Sequence, residues 1–200
     1  MEALITEKIQ KQGFELVLEQ LGAIMFLEIS NQIKLNCIDT DFEIFVERQE
    51  PYDNSEGVMV NVSLGNINYS NHNESSSEGN EVFNVDIYSN GSASIKESGN
   101  DNVRRKIHLF AGWIRYILSS TKYKTLAFAP GTIGGTYLDS IQFEDNYGSQ
   151  DASFNRFARL QFSARVFECQ DMDTGINLEG NDSVIKLCQT DKGYKFIFNN

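Results

Sequence analysis

Proline is almost missing, with 2 in 200 residues, and the chain is neither fibrous nor disordered in composition. Cysteine is scarce: Cys37, Cys169 and Cys188 are odd in number and have no CxxC spacing. That excludes a disulfide framework or a zinc site and leaves buried or incidental thiols. Long apolar runs are absent too. The longest, Ala23 to Leu27, has five residues, against the ~20 needed to span a bilayer. Charges between Met1 and Gln12 occupy the place of a signal peptide's apolar region, so the chain is expected to stay in a cytoplasm. Positive charge is in deficit, with 17 Lys+Arg against 28 Asp+Glu and a formal charge of -11. Such a balance disfavours non-specific attraction to nucleic acid or to an anionic membrane.

What is present is a chain that is 40% hydrophobic, with 14 Phe and 8 Tyr, enough for one real core or two small ones. Its negative charge is localised. Between Asp39 and Asp101 lie 13 acidic residues and 2 basic ones, Arg48 and Lys96, while the remainder holds 15 of each. The net charge therefore belongs to one third of the sequence.

From Ala3 to about Ser30, Ile5, Ile9, Phe14, Leu18, Leu21, Met25 and Ile29 recur at three- to five-residue steps, which predicts an amphipathic helix. Gly13 and Gly22 each cost ~1 kcal/mol relative to Ala in a helix interior, so a break near Gly13 stays open. The acidic third then changes period. Phe42, Ile44 and Val46, then Val58, Val60, Val62 and Leu64, then Phe83, Val85 and Ile87 alternate with mostly polar residues, which predicts three half-buried strands. Glu50 to Gly57 separates the first two, and the low-complexity Ser70 to Asn80 is expected to be a solvated loop at the tip of an antiparallel pair.

Asp101 or Asn102 can cap a second helix whose Val103, Ile107, Phe110, Ile114, Ile117 and Leu118 form one face and whose Arg104, Arg105, His108 and Arg115 form the other. Leu126 to Phe128 and Ser140 to Phe143 are short strand candidates, followed by the clean alternation of Ala158 to Val166. Two short strands, Val184 to Leu187 and Tyr194 to Phe198, are expected in the tail. Helices and strands do not alternate regularly. The predicted class is α+β, a mostly antiparallel sheet with an N-terminal helix and a second helix packed on one face.

No constellation points to catalysis. Nucleophilic chemistry needs a base beside the nucleophile, and the two histidines are His72, in the low-complexity loop, and His108, beside three cations that disfavour its protonated form. Asp171 to Asp182 resembles a calcium loop, but its Gly is one position early and its twelfth residue is Asp rather than Glu. Pro130 to Gly135 lacks the following Lys-Ser/Thr and helix of a phosphate cradle and reads as a turn or bulge. Glu43 and Glu47 are expected to face solvent on one side. The chain is therefore expected not to be an enzyme, with no catalytic, cofactor-binding or metal residues and no cofactor.

Arg104, Arg105, Lys106, Arg115, Lys122 and Lys124 put six of the 17 basic residues into 21 positions. Three readings are open: a nucleic-acid helix, the solvated face of an amphipathic helix, or one half of a subunit contact whose other half is the acidic segment. On the third reading Arg104, Arg105 and Arg115 are the possible contact residues.

The order of features resembles the tail terminator proteins of long-tailed bacteriophages. The resemblance lies in an N-terminal helix leading to DFEIFVERQEPYDNSEGVMVNVSL, then EVFNVDIYSNGSAS, the helix NVRRKIHLFAGWIRYILSS, YKTLAF, LDSIQFED and the strand RFARLQFSARVFE. It spans Glu2 to Gln170, with Val85 to Gly91 and Ala111 to Ser119 most alike. It implies a single α+β domain over 1–170, with 171–200 a C-terminal extension that departs from the family pattern. It also implies a homohexameric ring, assembled in the bacterial host cytoplasm and resident in the virion neck or tail. The ring would cap the tail tube, stop its growth and meet the head-tail connector protein, while DNA passes through its lumen without specific binding. An acidic lumen formed by the charged strands would suit that passage. Rival readings are another neck or head-completion ring protein, or a monomeric acidic protein-binding module.

Overall fold

Each strongly periodic segment forms the element its period predicts. In a computed structural model of the chain, α1 (Gly13–Asn36) is followed by β1 (Phe42–Val46), β2 (Val58–Ser70), β3 (Ser76–Gly91), α2 (Gly99–Ser119), β4 (Ile133–Asp145) and β5 (Phe154–Cys169), then by β6 (Asp182–Ile185) and β7 (Tyr194–Ile197). The structure describes residues 8, 11–49, 57–70, 76–91, 99–129, 131–145, 154–169, 182–185 and 194–197.

Five strands form one sheet in the order β1-β2-β3-β5-β4. All pairings are antiparallel except that of β1 with β2, where Phe42 to Val46 run parallel to Val58 to Val62. Alternation specifies that a segment is a strand and which side chains point inward, but not its direction. The parallel pair means that the chain between Val46 and Val58 returns to the start of the strand instead of making a hairpin. The fold is α+β and mostly antiparallel.

Both helices cover the same face of the sheet. Val58, Val60, Val62, Phe83, Val85, Ile87, Ala158, Leu160, Phe162 and Ala164 turn toward them at alternate positions and are fully buried or nearly so. The expected stripe of α2 meets this layer: Val103, Ile107, Phe110, Ile114, Ile117 and Leu118 are all buried, joined by Ala111. Of the expected helical span, residues 3–7, 9 and 10 lie outside the described residues, and the described helix is α1. It starts at Gly13, the suspected break, and continues past Ser30 to Asn36, where Cys37 ends it in the left-handed conformation with its N–H bonded to carbonyls of the last turn. Gly22 remains inside the helix because a Cβ there would lie 2.8 Å from Val46 Cγ2. The missing side chain lets α1 lie close against β1.

Three other expectations change. Ser70 to Asn80 is not all loop: β2 reaches Ser70, and β3 begins at Ser76, where it pairs with Cys169 of β5. Polar residues form strand there because β5 supplies a hydrogen-bonding ladder from Ser76 and β2 a second one from Glu78, which composition does not report. Leu126 to Phe128 is no strand; it lies in a turn where Leu126 and Ala127 have φ of 49° and 61°, and Leu126 is buried as a single plug. Ser140 to Phe143 belongs to the longer β4, which opens with a register irregularity between Ile133 and Gly135. Gly131 before it has φ 92°, in keeping with a glycine-permitted turn and bulge rather than a phosphate cradle. The chain divides into two compact units, Met1–Cys169 and Gln170–Asn200. In the second, β6 and β7 form an antiparallel pair.

Candidate functional site

The basic cluster, continuous in sequence, separates in space. Lys122 and Lys124 are engaged within the fold. Lys122 Nζ lies 2.7 Å from Glu28 Oε1, and the Tyr123 hydroxyl donates to the same oxygen. These bonds, from Lys122 first and then Tyr123, hold the Glu28 carboxyl below its ordinary pKa, and the shared carboxylate in turn raises the Lys122 ammonium. Burial, then the bond to Glu28, raises the Tyr123 phenol. Lys124 donates to the Thr136 carbonyl at 3.0 Å while Thr136 Oγ1 donates back to the Lys124 carbonyl at 3.2 Å. Two of the six cations thus pin the turn after α2 to α1 and β4.

Arg104, Arg105, His108 and Arg115 remain exposed on α2. Arg104 approaches Asp101, the single acidic residue of α2, at 3.4 Å. The His108 ring packs 5.0 Å from that of Phe143 on β4. Arg104, His108 and Arg115 recur at i, i+4 and i+11, so they form one stripe, and the His108–Phe143 contact places that stripe on the flank of α2 nearest β4, the last strand of the sheet. His72 lies outside the described residues, as do Pro130 and 171–181 of the calcium-like loop. Among the described residues, no group of three or more His, Cys, Asp or Glu is placed to hold a metal ion, and no helix is long and apolar enough to cross a membrane.

The acidic third also separates into engaged and unengaged charges. Asp86 is buried on the sheet face opposite the helices and takes a two-pronged bond from Arg159 of β5, at 2.7 and 2.8 Å, which raises the guanidinium pKa. Beside it the Tyr88 ring packs, tilted, 4.9 Å from that of Phe157, and burial, then the Asp86 charge, raises its phenol. Glu78 pairs with Arg165 at 2.8 Å. Glu47 is not a plain surface residue: its carboxylate accepts the Leu64 N–H at 2.6 Å. Asp39, Asp41 and Glu43 stay exposed around β1, the opposite end of the sheet from β4.

Sequence reasoning missed two features. A cleft of about 600 Å³ opens between the C-terminal halves of the helices, lined by Glu28, Gln32, Trp113, Tyr116, Lys122 and Tyr123. Apolar surface lies beside β1, where Phe26 of α1, 54% exposed, packs its ring 5.9 Å from that of Phe42, and Val46 is 41% exposed; Leu27 of α1 is 66% exposed. Its signal was available. Phe26 and Leu27 fall outside the expected stripe, and a helix apolar on more than one face has a second surface to cover.

The fold and these surfaces define a two-layer α+β domain with exposed basic residues on α2 and exposed carboxylates around β1. No family model and no curated protein matches the chain. A chain in a solved structure titled "Virion of native gene transfer agent (GTA) particle" is similar to it at 15% identity, covering 62% of this chain and 78% of that one, with a TM-score of 0.38. So slight a likeness carries no functional argument, which rests on the residues of this chain.

Proposed function

We propose that the chain is a structural subunit of the tail-terminator type. It assembles as a homohexameric ring on the end of a bacteriophage tail tube, stops the growth of the tube and presents a surface to the head-tail connector protein. On this reading the chain does no covalent chemistry. Its work is self-association and docking, and DNA passes the ring without specific binding.

The observation that carries the reading is the sheet arm built by β2, β3 and β5. β1 pairs with β2 only as far as Val62, whereas the β2–β3 ladder continues to Ser70 opposite Glu78. From Gly65 to Ser70 every residue of β2 is exposed or half-buried, and Tyr69 and Phe167 expose aromatic surface on this arm. A long strand pair that outruns its core, with one edge unpaired by β1 and large apolar side chains in solvent, is an element shaped to meet a partner. It also follows the order of elements that gives the chain its resemblance to the terminator family.

Tube protein from the same phage, polymerised with and without this chain and measured by electron microscopy, tests the proposal. Terminator action yields short tubes with added density at one end. Tubes of unchanged length with bare ends would refute it.

A further inference from the structure

The cleft of about 600 Å³ between the C-terminal halves of the helices is walled by two stripes of side chains. On α2, Trp113, Tyr116 and Ser120 recur at i, i+3 and i+7, and on α1, Glu28 and Gln32 stand at i and i+4, so each set shares one side of its helix. Lys122 and Tyr123, from the turn after α2, complete the wall. The volume falls within the ~300 to 1,000 Å³ of small-ligand sites.

The apolar part of the wall is held in place. The Trp113 ring packs 5.3 Å from that of the fully buried Phe110, which ties the indole to the core. Tyr116 is 76% exposed, so its ring surface is available to a ligand. The polar part is only partly used. Glu28 takes its bonds from Lys122 and Tyr123 on a single oxygen, Oε1, and among the described residues Oε2 has no donor. Gln32 Oε1 accepts from Asn36 Nδ2 at 3.4 Å, while the Gln32 amide nitrogen has no acceptor among the described residues. Ser120 Oγ accepts the Lys122 N–H at 3.3 Å and can still donate.

Charge and shape select the ligand. Glu28 and Lys122 place one charge of each sign in the wall, 2.7 Å apart. An anion would meet the Glu28 carboxylate and a cation the Lys122 ammonium, whereas a wholly apolar ligand would cover the pair and leave the open donors unsatisfied. What remains is a neutral ligand with an apolar face for the rings and several groups that both donate and accept. Hydroxyls do both, and neighbouring hydroxyls on a saturated ring suit a planar carboxylate or amide, while the edge of a nucleobase offers one fixed pattern.

We propose that this cleft binds a neutral oligosaccharide, with the C–H faces of its pyranose rings against Trp113 and Tyr116 and its hydroxyls bonded to Glu28, Gln32 and Ser120. The site is independent of the ring reading, because it uses no surface of the β2, β3 and β5 arm. The bonds that join Lys122, Glu28 and Tyr123 set the wall before the ligand arrives, so little ordering is left for binding to offset.

Trp113 is the single tryptophan of the chain, so its fluorescence reads the cleft directly. The full chain is titrated with maltotriose, cellotriose and triacetylchitotriose, and separately with choline, adenosine and adenosine monophosphate. At least one of the trisaccharides is expected to shift the Trp113 emission saturably with a Kd below about 10 mM, and to bind more tightly than choline or either adenosine compound. Tyr116→Ala and Gln32→Ala, with folding verified by circular dichroism, should each weaken that binding about fivefold. Arg104→Ala, near the start of α2, should leave it unchanged. No saturable response to any of the trisaccharides below about 10 mM, tighter binding of choline or of either adenosine compound, or sugar binding that both cleft variants leave untouched overturns the proposal.

Discussion

Replacing Gly22 by Ala should change sign in its effect on stability according to what stands at position 46. In an ordinary helix interior Ala is more favourable than Gly by ~1 kcal/mol. Here the added Cβ would lie 2.8 Å from Val46 Cγ2, well inside the ~3.5 to 4.0 Å of an ordinary carbon contact. Relieving such overlap by shifting α1 or turning a β-branched side chain off its rotamer costs ~1 to 3 kcal/mol. The two terms oppose each other, so Gly22→Ala in the wild-type chain is expected to be neutral or to destabilise by up to ~2 kcal/mol. Val46→Ala removes the obstructing methyl, and in that background Gly22→Ala is expected to stabilise by ~1 kcal/mol. Urea unfolding of the four chains gives the coupling directly, expected at ~1 to 3 kcal/mol. Two equal effects of Gly22→Ala, agreeing within ~0.5 kcal/mol, would refute the close approach of α1 to β1.

Further outcomes follow from the core and the ion pairs. Phe162→Ala empties the centre of the sheet, where Phe162 is fully buried, and should cost ~3 to 5 kcal/mol in urea unfolding. Asp86→Ala strips Arg159 of its two-pronged partner; because the Arg159 side chain keeps 39% exposure, the loss should be ~1 to 3 kcal/mol, below that of a fully buried pair. Glu28 has a lowered pKa in the folded chain, so its contribution is complete above the ordinary value of 4.5 and is lost as pH falls through the lower folded value. The stability difference between wild type and Glu28→Gln should therefore be constant above 4.5 and shrink below it; a difference unchanged on acidification would contradict the Lys122–Glu28–Tyr123 cluster.

The fold was legible where one periodicity dominates. The buried stripe of α2 and its charged face are as the spacing predicts, because the charges and the apolar residues occupy separate sides of one helix. The strand cores at Val58 to Val62, Phe83 to Ile87 and Ala158 to Val166 were equally plain. What escaped is set by partners distant in sequence. Ser76 to Asn80 is strand because β5 pairs with all of it and β2 with Glu78 to Asn80; Leu126 to Phe128 looks like a strand but is bent into a turn that buries one leucine; and β1 runs parallel although its alternation carries no direction. The interaction surfaces were legible by composition and not by position. The -11 balance pointed to a charged segment, but only the fold separates Asp86 and Glu78, engaged by Arg159 and Arg165, from the carboxylates around β1. It likewise separates Lys122 and Lys124 from the arginines that α2 leaves in solvent.

Imaging the assembled particle by electron cryomicroscopy tests the proposed role most directly. The account predicts a six-fold ring at the junction of tail tube and head connector, with this α+β subunit fitting each repeat. A junction built from other chains, with this protein elsewhere in the particle or missing from it, would contradict the account.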